Sequence, residues 1–330
     1  MSSSDNKTIA ILETTILYLH QYIIPLFILL GDIGNFLVLF IFWKRSWRRN
    51  VCVFYLTINL LINTFYINFV MLADFLTAFE IQPNNYSQIY CKIHTYFVEL
   101  ISILSPTILI LASIDRLLIS SQNVDTRLYS SKRLAYFLIS INIFFWMIYN
   151  SHILMRVNIQ EIHFNELLCY YDLSSFYLRF ATYSTLIINC CLSLTMIILC
   201  LFACKNVQQY RSLTRQQIRR MTKKDFQLLR CLFAEDIVYI ILSIGMAIYK
   251  VYEATTIHRT RTWKKQVIID FFEHLNEFLH HIPYCLSFYV YIFISKAFRN
   301  EFKRVFYRLH GKDVNTIRDE EIKAENIVRS

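Results

Sequence analysis

The chain has 330 residues, of which 55% are hydrophobic and 18% charged, and its net charge is +10. This composition is too apolar for a soluble domain of that size, so it excludes a soluble interaction protein. Lys and Arg also collect in short segments between long stretches that hold almost no charge. A bilayer enforces such segregation, because a charged side chain at the centre of a membrane helix costs roughly 2.5 to 3.5 kcal/mol. The basic net charge therefore requires no nucleic-acid partner.

The predicted elements are membrane-spanning helices, preceded by an N-terminal tail over residues 1–15. That tail has no basic start before an apolar core, so we expect no cleaved signal peptide. A helix needs about 20 apolar residues to cross the hydrocarbon core. Seven such windows predict spans over residues 16–43, 51–77, 91–120, 133–155, 175–204, 227–252 and 267–295. The predicted fold is an all-α integral membrane bundle of seven transmembrane helices over 16–295, unless one of the last two windows is a surface helix.

After the last span, residues 296–310 predict a short amphipathic helix. Phe298, Phe302 and Phe306 follow one face, and Arg299 and Lys303 follow the other. Such a basic amphipathic helix is typical of a segment that lies on the inner leaflet and binds membrane lipids. Residues 311–330 are charged and have no apolar pattern, so we expect a disordered cytoplasmic tail.

The distribution of Lys and Arg predicts the orientation. These residues are abundant in segments 44–49, 127–133, 205–224 and 296–312, and they are much rarer at the opposite ends of the spans. Since cytoplasmic loops carry the excess of basic residues, the N-terminus is expected outside the plasma membrane and the C-terminus inside. The two glycosylation acceptors, Asn6 in NKT and Asn85 in NYS, then both lie outside.

Cys91 and Cys169 are the two cysteines next to polar loops on the predicted outer side. Disulfides form in such an oxidising compartment, so we predict a bond between them rather than two free thiols. This bond would hold the loop between the fourth and fifth spans across the mouth of the bundle.

Asp115 and Arg116 lie at the opposite end of the third span. Arg116 follows Cys91 by 25 residues, which corresponds to about 37 Å of helix, or one membrane thickness. An Arg at that depth can simply extend to lipid phosphate. The adjacent carboxylate instead favours a buried, paired guanidinium.

Several of these features occur together in one known family. They are Asn35 in GDIGN, the Asp115–Arg116 pair, Trp146 in the fourth span, the Cys91 and Cys169 pair, and Tyr291 in SFYVY followed by ISKAFR. In this order and spacing, residues 20–308 resemble the rhodopsin-like G-protein-coupled receptors. Within that family, the pattern resembles the divergent receptor sets of invertebrates, which include peptide and chemosensory receptors.

The sequence departs from that family at several hinge positions. Asn63 stands where the second span of the family carries an Asp, which puts a bound sodium ion in doubt. Ser287 and Phe288 replace the Asn-Pro before the motif tyrosine, and Gly245 falls where the sixth span carries its proline. The resemblance therefore implies a last helix without the usual kink.

The resemblance also implies a mechanism. In the closed state, Arg116 would be held by Asp115 and by Asp225 at the base of the sixth span. An agonist bound in the outer half of the bundle would favour an open form, in which Arg116 and Tyr291 shape a groove for a heterotrimeric G protein.

Ionisable residues within the outer half of the spans are candidates for ligand binding. The candidates are Asp74, Glu99, Glu273, Glu277 and His281. The last three follow three- and four-residue spacing and so share one helix face, which would favour a cationic ligand such as a basic peptide. Alternatively, Glu273 lies at the water boundary or pairs with a nearby Lys. Glu235 and Asp236, deeper in the sixth span, receive no role from the sequence.

Other functions are less well supported. The family's retinal proteins need a Lys where His281 stands, and no Lys occurs between Gln266 and Ser295, so we expect no cofactor. The sequence has no HExxH metal motif and no glycine-rich phosphate loop, so we expect neither an enzyme nor a metal site. A chemosensory receptor for small molecules is the nearest alternative. A ligand-gated channel or a transporter is less favoured, because no span is polar over its full depth.

Overall fold

The computed structural model describes residues 3–79, 81, 83–120, 129–163, 166–172, 175–212, 223–256 and 262–309. The predicted C-terminal tail, 311–330, lies outside the described residues, as does the side chain of Asn6. Nearly all described residues are helical, which confirms the all-α class.

The helices and strands run in this order: α1 (Ser3–Tyr18), α2 (Ile24–Phe42), α3 (Arg45–Arg48), α4 (Val51–Tyr66), α5 (Leu72–Thr77), α6 (Pro83–Tyr86), α7 (Gln88–Ser120), α8 (Lys132–Arg156), β1 (Val157–His163), β2 (Glu166–Tyr171), α9 (Ser175–Ser212), α10 (Lys223–Thr256), α11 (Trp263–Cys285), α12 (Ser287–Ile294) and α13 (Lys296–Leu309). Two π-helical turns, π1 (Leu19–Ile23) and π2 (Ile67–Met71), join α1 to α2 and α4 to α5. Each joined pair is therefore one continuous helix.

Within the described residues, six helices are long and apolar enough to cross a membrane. Their membrane segments are Lys7–Phe42, Val51–Thr77, Gln88–Ile119, Lys132–Arg156, Phe176–Ala203 and Lys224–Tyr249. The chain is thus a multi-pass membrane protein, and six of the seven predicted spans are confirmed. The seventh window, 267–295, is divided between α11, which carries several charged residues, and α12, which is short.

The first helix begins much earlier than predicted. Residues 3–15, expected as a tail, belong to α1. The helical run from residue 3 to residue 42 is about 60 Å long at 1.5 Å per residue, twice the thickness of the hydrocarbon core. Its first part packs against α11 instead of extending freely.

Helix α7 lies at the centre of the bundle, where it contacts α4, α8, α9 and α10. Its apolar stretch is 67% buried, the largest share among the six segments. Helices α11 and α12 pack against both α2 and α10, so they close the bundle between its first and sixth membrane helices. We call the two ends of the bundle the disulfide end, at Cys91, and the Arg116 end.

An antiparallel hairpin covers part of the disulfide end, where sequence reasoning expected only a loop. Strands β1 and β2 pair Val157 with Tyr171 and Ile159 with Cys169. In β1, Val157 and Ile159 alternate with Asn158 and Gln160, as in a strand with one face on the protein, whereas β2 is apolar or aromatic from Leu167 to Tyr171. The hairpin contacts α7 through both strands.

The last helix is interrupted despite the absence of the family's Asn-Pro. Pro283 lies inside α11 and lacks the N–H that would continue the helical ladder. The helix ends at Cys285, and α12 begins after Leu286. The last helix is therefore divided at Leu286, three residues after Pro283, while the backbone of Leu286 stays in the right-handed helical region.

Candidate functional site

At the Arg116 end, the structure brings together three side chains that the sequence singled out. Arg116 is fully buried, at 0% exposure. Its Nη2 lies 2.5 Å from Asp115 Oδ2, and its Nη1 lies 3.0 Å from Asp225 Oδ1. Since Asp225 belongs to α10, this buried guanidinium joins the central helix to the sixth membrane helix.

Asn50, which sequence reasoning missed, completes this cluster. Its Oδ1 accepts hydrogen bonds from Arg116 Nη2 at 3.1 Å and from the backbone N of Cys52 at 2.9 Å. Its Nδ2 donates to Asp225 Oδ1 at 2.5 Å. Asn50 is the N-cap of α4, and an Asn directly before an apolar helix is the sequence signal that predicts such a cap. One amide therefore both starts a helix and contacts the arginine.

A hydroxyl group contacts Asp115 from the side opposite Arg116. Ser130 Oγ donates to Asp115 Oδ1 at 2.5 Å, while Asp115 Oδ2 faces Arg116. Each carboxylate oxygen of Asp115 therefore has a donor. Removing one partner from such a buried, paired charge is expensive, which keeps the cluster together.

Tyr291 is buried near this cluster in an aromatic group. Its ring lies 5.4 Å from that of Phe42 and 5.6 Å from that of Phe298, measured between centroids. Among the described residues, its hydroxyl group has no hydrogen-bond partner, so Tyr291 is not bonded to Arg116 here. The base of α10 is fixed to the start of α13 by Gln227, whose Oε1 accepts from Ala297 N at 2.6 Å and from Ser295 Oγ at 3.0 Å.

At the opposite end, the predicted disulfide is present. Cys91 of α7 and Cys169 of β2 are bonded, with their Cα atoms 5.6 Å apart. Asn85, the second glycosylation candidate, lies beside it, and its Oδ1 accepts a hydrogen bond from the Cys169 backbone at 3.0 Å. The bond fixes the hairpin to the central helix.

A cavity of about 290 Å³ lies in the half of the bundle nearest the disulfide. Four of the five predicted ligand residues line it: Asp74, Glu99, Glu277 and His281. Glu273 does not, because it is turned toward α10, where it accepts a hydrogen bond from Tyr249 at 2.7 Å. Two further lining residues, His94 and His280, were not among the predicted ligand residues. Within the described chain, the cavity lining contains no Lys or Arg.

The carboxylates of the cavity differ in how they are paired. Asp74 Oδ2 lies 3.3 Å from His281 Nε2, and His281 Nδ1 lies 3.0 Å from the Tyr66 hydroxyl group. Glu99 Oε1 accepts a hydrogen bond from the Tyr171 hydroxyl group of β2 at 2.8 Å. Burial, together with Glu99, raises the pKa of Tyr171 well above its usual value of 10, so this hydroxyl group remains a donor.

Glu277 has a weaker neighbour, since His274 Nδ1 lies 3.5 Å from its Oε2. Three carboxylates therefore line the cavity, and the described lining residues include no Lys or Arg. Such a cavity favours a ligand that brings its own positive charge.

A polar layer separates the two ends of the bundle. Ser105 Oγ lies 2.9 Å from both Asn59 Oδ1 and Asn63 Oδ1. Ser105, Asn59 and Asn63 line a small cavity, and Glu235 lines it as well. Its neighbour Asp236 accepts a hydrogen bond from Ser113 at 3.1 Å. Asp236 is therefore bonded to the central helix and Glu235 lines the small cavity, two placements to which the sequence assigned no role.

Asn35 and Trp146 have structural contacts. Asn35 Nδ2 donates to the carbonyl of Tyr284 at 3.2 Å, which ties α2 to α11. Trp146 Nε1 donates to Asn142 Oδ1 at 3.1 Å, and Asn142 in turn donates to Thr107 at 2.9 Å. Asn35 therefore joins two helices directly, Trp146 acts through Asn142, and neither residue lines the cavity.

In comparisons with known proteins, no family model matches this chain and no curated protein matches its sequence. Its function must therefore be argued from its own residues.

Proposed function

We propose that this chain is a divergent rhodopsin-like G-protein-coupled receptor of the plasma membrane, and that it transmits the binding of an extracellular cationic ligand to a heterotrimeric G protein. The observation that carries the proposal is the contact between Arg116 of α7 and Asp225 of α10. It links two helices at the end opposite an acidic cavity. A bundle with a cavity at one end and a releasable ion pair at the other suits a transmembrane signal.

The proposal includes a seventh membrane span made of α11 and α12, the N-terminus outside and the C-terminus in the cytoplasm. The packing of both segments against α2 and α10 supports it, since those two helices are themselves membrane helices. The charged residues of α11 would then face the cavity, a neighbouring helix or water. The excess of Lys and Arg at the Arg116 end supports the orientation.

Signalling would depend on two states of the Arg116 end. In the state described above, Arg116 is held by Asp115, Asp225 and Asn50. A ligand can favour a second state only through a higher affinity for it. Separation of α10 from α7 would break the Asp225 contact and expose Arg116, and the released surface, with Tyr291, would bind the G protein.

The ligand that the cavity favours is cationic, and a basic neuropeptide is our leading candidate. Asp74, Glu99 and Glu277 would contact an Arg side chain or a free amine. The hairpin that carries Tyr171 lies beside the cavity and would contact the rest of the peptide. Glycans on Asn6 and Asn85 would be compatible with this orientation.

One observation favours a second candidate, a chemosensory receptor for small cationic molecules. The cavity volume of about 290 Å³ lies just below the range of roughly 300 to 1,000 Å³ for small-molecule sites. It would hold an amine completely but only one or two side chains of a peptide.

Screening basic peptides and small amines against cells with a promiscuous G-protein reporter tests the proposal. We expect at least one active ligand, and we expect Arg116→Ala to abolish the response while leaving surface expression intact. Arg304→Ala is the matched control, because Arg304 is a more exposed base of α13 that pairs with Glu301. A ligand-evoked current that persists without any G protein would instead indicate a channel.

A further inference from the structure

Asp236 is a fully buried carboxylate that the proposed signalling mechanism does not use. It is 0% exposed, and its Oδ2 accepts hydrogen bonds from Ser113 Oγ at 3.1 Å and from Cys200 Sγ at 3.8 Å. Its Oδ1 is buried and accepts no hydrogen bond from the described residues. A buried carboxylate oxygen without a donor is costly. A conformation that brings a donor to this oxygen would therefore gain stability from it.

Helix α10 presents Asp236 and Asp225 to the same side of α7. The two residues are 11 positions apart, which is about three helical turns, so they share one face of α10. On α7, Arg116 contacts Asp225 and Ser113 contacts Asp236. Ser113 and Arg116 lie one turn apart on one face of α7. Asp225 therefore lies at the base of this helix pair, and Asp236 lies toward the centre of the bundle.

The Arg116 side chain is long enough to reach Asp236. Helical Cα–Cβ bonds point toward the N-terminus, which from Arg116 is the direction of Ser113. Residues three positions apart have Cβ atoms about 5 to 6 Å apart, and Ser113 already contacts Asp236. An extended arginine spans about 6 Å from Cβ to Nη, given bond lengths near 1.5 Å. Rotation of this side chain would therefore bring its guanidinium to the unused oxygen.

We propose that Asp236 is the second partner of Arg116: when the base of α10 moves away and the Asp225 contact breaks, the guanidinium turns toward Ser113 and binds Asp236. This role rests on the proposed receptor function, because it belongs to the second of its two states. Asp236 is a positioning residue, since it would hold Arg116 without touching the ligand or the G protein. A guanidinium has five N–H donors, so one edge can bind Asp236 while another faces the groove.

A tilt of α10 moves Asp236 less than it moves Asp225. Asp236 is about 16 Å further along the helix, at 1.5 Å per residue, and it is bonded to α7 and α9 through Ser113 and Cys200. A helix that swings outward at its base moves least near the point about which it turns. Loss of Asp225 also leaves part of a buried guanidinium without an acceptor, which is costly. Asp236 is placed to replace it.

The distance between the inner ends of α8 and α10 tests this role without a ligand or a G protein. Spin-labelled amino acids replace Arg133 of α8, which packs on α7, and Arg230 of α10, and both positions are exposed. Double electron–electron resonance on the full chain in nanodiscs then gives the populations of short and long distances. Asp225→Asn should populate the long distance. Adding Asp236→Asn should reduce that population on the order of tenfold, because Arg116 loses its charged acceptor in the second state.

Two further variants separate this role from packing. Glu235→Gln is the matched control, since Glu235 is the neighbouring acidic residue and lines the small cavity beside Asn63. Added to Asp225→Asn, it should leave the long-distance population unchanged. Ser113→Ala removes a bond that holds Asp236 in the closed state, so it should increase that population. A residue that only fills space would not give opposite effects in Asp236→Asn and Ser113→Ala.

The outcomes distinguish this role from the receptor proposal. Equal long-distance populations in folded Asp225→Asn and Asp225→Asn/Asp236→Asn overturn the role of Asp236 and leave the Arg116 switch intact. If the double variant does not fold, an unchanged population in Ser113→Ala overturns that role instead. No rise of the long-distance population in Asp225→Asn itself contradicts the switch, and with it both the proposed signalling mechanism and the role of Asp236.

Discussion

Asn50 and Asp225 are joined by a hydrogen bond of 2.5 Å from Nδ2 to Oδ1, so the start of α4 meets the base of α10 beside Arg116. These residues are far apart in sequence, and only the fold brings them together. The guanidinium is thus held by groups from three helices, and each contact can be removed separately.

We predict that Asn50→Ala lowers stability and raises basal signalling. Loss of the N-cap costs about 1 kcal/mol, and loss of the amide leaves Arg116 and Asp225 with fewer partners. Thermal unfolding and ligand-free reporter activity measure the two effects. Asn50→Ser retains a capping oxygen but lacks the amide donor, so it should restore most of the stability and leave basal signalling high. If Asn50→Ser restored both the stability and the low basal signalling of the wild type, Asn50 would act only as a cap.

Asp225→Asn should raise basal signalling. The change removes one charged partner of Arg116, a loss of roughly 1.5 to 3 kcal/mol for a hydrogen bond to a charged group, while the Asp115 pair remains. Ligand-free G-protein activation is the measurement. Glu301→Gln is a suitable control, since Glu301 pairs with Lys44 and Arg304 away from Arg116. Basal activity at the wild-type level would contradict the proposed role of Asp225.

Removing the disulfide should destabilise the disulfide end and reduce ligand binding. Cys91→Ser or Cys169→Ser should cost roughly 2 to 5 kcal/mol, and the hairpin would lose its covalent link to α7. Thermal unfolding with and without reductant checks this. Cys190→Ser, which removes an exposed free thiol, should unfold like the wild type.

Gly34→Ala and Gly245→Ala should differ in stability. A Cβ on Gly34 would lie 2.9 Å from Phe288 Cβ, an atom fixed to the backbone. We therefore expect a loss of about 1 to 3 kcal/mol, as for an overpacked core. A Cβ on Gly245 would meet only the amide oxygen of Asn276, which can rotate away, so that variant should be nearly neutral. Unfolding temperatures in one detergent compare the two, and equal losses would contradict the prediction.

Glu277→Gln should weaken the response to a cationic agonist, whereas Glu273→Gln should change it little. Glu277 lines the cavity, and Glu273 instead accepts a hydrogen bond from Tyr249. A lost contact between charged groups corresponds to roughly 10- to 100-fold in affinity. Concentration–response curves with matched surface expression give the comparison. A larger effect of Glu273→Gln would show that the ligand lies elsewhere.

The sequence predicted what depends on long apolar windows and on adjacent residues. Six membrane helices and the Asp115–Arg116 pair are of this kind, and the disulfide follows from two cysteines at one end of the bundle. It could not predict contacts that arise only when helices pack. The sequence indicates that Asn50 is a helix cap, but not that it contacts Arg116. Helix spacing places Glu273 and Glu277 on one face, although their side chains contact different groups.

Local exceptions to regular helices also escaped prediction. The periodicity of residues 51–77 is compatible with an unbroken α-helix, so π2 leaves no clear signal. Pro283 is a sequence signal for an interruption of the last helix, but it does not fix the position of the break at Leu286.

The π2 turn is equivalent to the insertion of one residue into an otherwise regular α-helix. A helix advances about 100° per residue, so each side chain beyond Met71 faces about one position away from where an uninterrupted count would place it. Asp74, which reaches His281, lies beyond that turn. Aligning this helix with that of a regular relative therefore requires a single-residue gap in mid-membrane, and a gap-free alignment would pair Asp74 with a residue that faces elsewhere.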